Sequence, residues 1–84
     1  MDDMAVRAVI RLLGYPDVVP EDLIRTIKAK AMAVDEYLTE IGVTDEKKQG
    51  DLYLQTIALG VNDLMSFSEK GFSGLFERLS MTLR

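Results

Sequence analysis

The 84-residue sequence contains no cysteine and no histidine. The first absence rules out a disulfide, and the two together remove the usual zinc ligand sets. Thiol nucleophiles and imidazole bases are excluded on the same ground, which leaves converging carboxylates as the remaining groups for chemistry near neutral pH. No apolar run approaches the roughly 18 residues of a membrane span, so no membrane partner is expected. Basic residues are outnumbered, 10 against 14, for a net charge of −4. They stand at five against eight through Gly42 and five against six beyond it. Gripping a phosphate backbone takes clustered Lys and Arg that release counterions, so specific DNA binding is not expected. The opening Met1-Asp2-Asp3 is acidic where a secretory signal is positive, and the chain reads as soluble and cytosolic. The lack of cysteine agrees with a reducing compartment.

Apolar residues, by contrast, are plentiful at 48% of the chain. Surface scaling at this mass lets only about 63% of the unfolded chain's surface be buried. The expectation is one domain, residues 1–84, with a thin core. Without a disulfide or a zinc site, oligomerisation is the staple left to it, and part of the apolar surface is expected to face partners.

Hydrophobic spacing makes the chain all-α, a small helical bundle of about four helices, two long and two short. Between Asp3 and Leu13, Met4, Ala5, Ala8, Val9, Leu12 and Leu13 recur at helical spacing, Asp3 is placed to pair with Arg7, and Gly14 offers a stop. A turn through Tyr15-Pro16-Asp17 follows. The second helix opens with Pro20 at its first position and with Glu21 and Asp22 in its first turn, where the helix dipole favours acids. Its stripe Leu23, Ile24, Ile27, Ala31, Val34, Leu38 and Ile41 must be buried, and Gly42 closes it after roughly 22 residues. So long a helix in so small a domain suggests packing against another subunit. A third helix starts either at Thr44, tolerating Gly50, or at Asp51 as cap after a loop Lys47-Lys48-Gln49-Gly50. Its firm part holds Leu52, Leu54, Ile57, Ala58, Val61, Leu64 and Met65, and Gly60 within it permits close helix approach at a cost near 1 kcal/mol relative to Ala. The two long helices are expected to pack antiparallel. After a connector from Phe67 to Phe72, Ser73 can cap a last helix through Leu75, Phe76, Leu79 and Leu83.

Groups that could carry a reaction are sparse. Glu36 and Glu40 form an i,i+4 pair on a charged helix face, and no serine has a base beside it. The glycines at 71 and 74 lack the strand, lysine and hydroxyl of a phosphate loop, and the acids around Asp45 and Asp51 miss the spacing of a calcium loop. No enzyme, metal or cofactor is expected.

The segment from Ala58 to Arg84, ALGVNDLMSFSEKGFSGLFERLSMTLR, resembles the short all-helical head–tail connector proteins of long-tailed double-stranded-DNA bacteriophages and prophages. In that family a buried helix ends in a polar pair, here Asn62-Asp63. A short loop follows, and a closing helix ends in Leu-Arg, here Leu83-Arg84. The helix from Pro20 to Ile41, with Ala33-Val34-Asp35-Glu36-Tyr37-Leu38 in its second half, is similar to the family's helix before a variable glycine-containing loop. Order and spacing match over Pro20 to Arg84; the opening Met1 to Leu13 is not closely alike, and no further tail follows Arg84. The resemblance implies a structural adaptor for virion assembly. It would form a ring of roughly a dozen copies beneath the portal protein and above a tail-side connector protein, surrounding the channel used in DNA packaging and ejection. Such a protein would occupy the bacterial host cytoplasm during assembly and the head–tail junction of the virion.

Other readings of the residues stay open. Asn62-Asp63 also reads as a polar patch at a helix end, with Asp63 capping or solvated, and Arg84 as a charge that offsets the helix dipole. A small helical DNA-binding or packaging regulator would need a basic recognition helix, whereas the last helix offers Arg78 and Arg84 beside Glu77. A monomeric protein-interaction module is the third possibility. Phe67, Phe72 and Phe76 read first as core of their own chain, with Phe72 the best placed of them to anchor in a neighbour; for a ring, the candidate subunit interface joins Met32 and Tyr37 on the second helix to Phe67 and Phe72 in the connector of the next copy, with Tyr37 and Phe72 as anchors.

Overall fold

The structure is a computed structural model and describes residues 1–66 and 72–84. Its first helix, α1 (Asp3–Leu12), begins where the Asp2 carboxylate accepts the Ala5 N–H at 2.8 Å, satisfying one of the orphan donors of a helix start. Val6, Val9 and Ile10 face inward. The helix stops at Gly14, whose φ of +89° lies in the left-handed region, and the Gly14 N–H bonds back to the Arg11 carbonyl at 2.9 Å. Asp3 does not pair with Arg7 on its own helix. It reaches Lys28 on the next one at 3.9 Å, because α1 lies alongside that helix.

The second helix, α2 (Glu21–Glu40), starts one residue later than expected. Pro20 keeps its ring-fixed φ near −59° but takes an extended ψ of 145°, so it caps the helix rather than opening it. Ile27, Ala31, Val34 and Leu38 are buried along one stripe, as the 3.6-residue period requires. Gly42, at φ +104°, reverses the chain, and the Val43 N–H returns to the Leu38 carbonyl at 2.9 Å. Gly14 and Gly42 are thus both helix stops.

Of the two starts offered for the third helix, the second is nearer, with a modification. Asp45–Gln49 forms a 3₁₀ turn, Gly50 is extended (φ −120°, ψ 173°), and α3 (Asp51–Met65) begins immediately after it with Asp51 in its first turn. Tyr53, Thr56, Ile57, Ala58, Gly60 and Val61 are buried. That set spans most of the helix circumference, as befits the central element. Ser73 caps α4 (Gly74–Leu83), its hydroxyl accepting the Phe76 N–H at 3.2 Å, and Phe76, Ser80 and Leu83 point inward.

Among the described residues the chain is all-α, with two long and two short α-helices. α3 packs against each of the other three, most extensively against α2. From Thr39 back to Val34 along α2, the opposing partners advance from Lys48 to Gly60, so the two long helices run in opposite senses. The molecule is flat, 33 × 30 × 18 Å. It exposes 5723 Å², against about 5,000 Å² for an average folded protein of its mass.

Candidate functional site

Gly60 is the point of closest approach in the core. A Cβ built there would lie 2.7 Å from Phe76 Cε1 on α4 and 2.8 and 2.9 Å from the two methyls of Val34 on α2. Both neighbours are fully buried, so three helices meet at the one residue with no side chain to obstruct them.

Around this crossing the polar and aromatic residues of interest fall into distinct places. Phe76 stacks on Phe72 with centroids 4.1 Å apart, and Tyr37 leans on both at 5.0 and 5.8 Å. Tyr37 and Phe72, expected to meet across a subunit boundary, therefore meet within one chain. The physical reason is the stacking itself: α4 folds back on α3 and brings Phe72 over the side of α2 that carries Tyr37. Both rings remain half-buried. Met32 lies on the outer face of α2, 46% exposed. Phe67 lies outside the described residues.

Asn62 is exposed. It lines a shallow depression with Leu12 and Leu13 from the end of α1 and Gln55, Ala58 and Leu59 from α3. Asp63 is structural, since its Oδ2 accepts the Ser73 N–H at 2.9 Å and its carbonyl accepts the Ser66 hydroxyl at 2.8 Å. One residue thus finishes α3 and, through a charge-assisted bond to backbone, anchors the start of α4, whose cap is Ser73. Leu83 is buried, and Arg84 extends from the end of α4 to within 3.9 Å of the position a Cβ would take at Gly42.

A polar cluster joins α2, the 3₁₀ turn and α3. Asp35 Oδ1 accepts the Tyr53 hydroxyl at 2.7 Å and pairs with Lys48 Nζ at 3.1 Å, while Lys48 also donates to Thr39 Oγ1 at 2.6 Å. The Lys48 and Asp35 side chains are only 16% and 29% exposed, against 72% or more for both partners of the pairs Arg25 makes and of Arg11–Asp17. Lys48–Asp35 is therefore less screened than those surface pairs. Burial pushes the Tyr53 phenol above its ordinary range, reinforced by its hydrogen bond to Asp35 and by that carboxylate's charge. Through these contacts the cluster clamps the 3₁₀ turn to α2 and α3.

A second concave feature is a groove of about 260 Å³ between α1, the loop over 16–19 and the start of α2. Its floor is apolar, with Val6, Ile10, Val19 and Ile24, and its rim carries Arg7, Arg11 and Lys28 beside Asp3 and Asp17. Among the described residues no group of acidic side chains is placed to hold a metal ion, and no helix is long and apolar enough to cross a membrane. Comparison with protein-family models, curated proteins and solved structures finds no match.

Proposed function

We propose that the chain is a structural adaptor of a phage head–tail connector, assembling as a ring of roughly a dozen copies under the portal, with DNA passing through the centre. The reading is carried by the ordered run of features over Pro20 to Arg84. A long helix is followed by a glycine-containing turn, then a core helix closing in Asn62-Asp63, then a helix ending in Leu83-Arg84. Two physical features support it. A flat subunit with more exposed surface than its mass calls for suits side-by-side packing. A net charge of −4 per copy sums to about −50 around such a ring, which repels a sliding polyanion within a Debye length of about 8 Å. The channel guides DNA without gripping it.

Native mass spectrometry of the chain, alone and mixed with a phage portal protein, tests the proposal. A closed ring on the portal is the expected outcome. A chain that stays monomeric in both conditions refutes it, and a submicromolar dissociation constant for duplex DNA at about 150 mM salt would favour the regulator in its place.

A further inference from the structure

The exposed side of α2 and the groove beside its N-terminal end have complementary chemistry. Ala29, Met32, Ala33, Glu36 and Glu40 recur at steps of one, three and four on the outward face, apolar first and acidic toward the C-terminal end. The groove is the converse, an apolar floor with three cations on its rim. Two of these cations have acidic neighbours, Arg11 with Asp17 and Lys28 with Asp3, each at 3.9 Å. Those acids are 90% and 91% exposed, so the contacts are screened and exchangeable. Arg7 has neither an ion pair nor a side-chain hydrogen bond among the described residues. The rim is thus net positive on a chain whose net charge is −4.

We propose that the groove receives the outer face of α2 from a second copy of this chain, Met32 against the apolar floor and Glu36 and Glu40 against Arg7 and Arg11. Met32, Glu36 and Glu40 lie about 6, 12 and 18 Å of helix beyond Lys28, the last groove residue on α2, so one copy can offer both surfaces at once. Such a contact is heterologous, and it closes into a ring when the rotation between copies divides a full turn. Its place in a connector ring rests on the adaptor reading above. The contact itself rests on charge complementarity, which governs register and rejects like-charged pairings.

Two charge-reversed variants test it by sedimentation velocity: Arg7→Glu/Arg11→Glu, which inverts the rim, and Glu36→Arg/Glu40→Arg, which inverts the face. All four side chains are exposed, and a helical circular dichroism spectrum with a cooperative melt confirms that each variant folds. The wild-type chain is expected to self-associate with concentration, less so at about 0.5 M salt. Each variant alone should associate at least about tenfold more weakly. An equimolar mixture should recover association, with the two variants alternating, because each variant's face is opposite in charge to the other's groove. A wild-type chain monomeric into the millimolar range, variants that associate as the wild type does, or a mixture no better than its components each overturn the proposal. If these variants still close a ring on the portal, the docking surface is refuted while the adaptor reading stands. If the pattern of association is as expected but no portal is bound, the contact stands and the adaptor reading falls.

Discussion

Replacing Gly60 with Ala adds a single methyl group at the tightest point of the core. The new Cβ would meet Phe76 Cε1 at 2.7 Å and both Val34 methyls below 3.0 Å. Rotating Val34 does not relieve this, since a helical valine has one strongly favoured rotamer. Phe76 is held by its stack on Phe72 at 4.1 Å. Three contacts below 3.0 Å to side chains that cannot move aside place the cost in the upper half of the about 1–3 kcal/mol of an overpacked core, and the better helix propensity of Ala returns about 1 kcal/mol. The net loss is about 1–2 kcal/mol, which for a domain of this size lowers Tm by about 4–16 °C. Urea unfolding followed by circular dichroism, with the slope checked for constancy, measures it directly. Val34→Ala alone should cost about 2 kcal/mol by leaving a cavity. The double variant should lose less than the two single losses together, with a coupling of about 1 kcal/mol, because the new methyl occupies space the valine has vacated. A Gly60→Ala protein as stable as the parent, or two strictly additive substitutions, would refute the argument that three helices meet at this residue.

Ile57 is fully buried on α3, so Ile57→Asp places an unpaired carboxylate in the core at several kcal/mol out of a stability of about 5–15 kcal/mol; loss of the cooperative melt is expected, and an unchanged Tm would place Ile57 outside the core. Asp63→Ala removes the acceptor of the Ser73 N–H and should cost about 1–2 kcal/mol, with Asp63→Asn milder because an acceptor oxygen remains; equal losses would show that the carbonyl-type acceptor is irrelevant. The raised Tyr53 phenol keeps its proton in the fold where an unfolded tyrosine ionises near pH 10. Its stabilising contribution is therefore complete below about pH 10 and declines as the pH rises further. Urea midpoints taken on either side of that value should fall less steeply for Tyr53→Phe than for the wild type, and parallel curves would remove Tyr53 from the alkaline transition.

Much of the fold was legible in the residues because helix stripes, caps and stops are local. Apolar spacing located the helices to within a residue or two, except at the start of α3, left open between Thr44 and Asp51; Gly14 and Gly42 were readable as stops, and Gly60 as a close approach. Asp63 was readable as capping or solvated, and neither reading named its bond to the Ser73 N–H ten residues on. The remainder depends on pairs far apart in the chain, for which periodicity has no signal. Asp35 meets Tyr53 across 18 residues, and Lys48 completes that cluster from a 3₁₀ turn whose existence the sequence left undecided. Asp3 had an apparent partner four residues on in Arg7, and the neighbouring helix supplied Lys28 instead. Tyr37 and Phe72 show the same limit in the candidate interface: aromatic character marked both as anchors, but only the return of α4 over α3 decided that they anchor each other. The amino-acid order by itself determined which segments are helical and where they stop, since those depend on neighbours within a turn. Which faces meet, which charges pair and which surfaces stay free were decided by the packing of α3 against the other three helices, because that packing is what brings distant residues within reach.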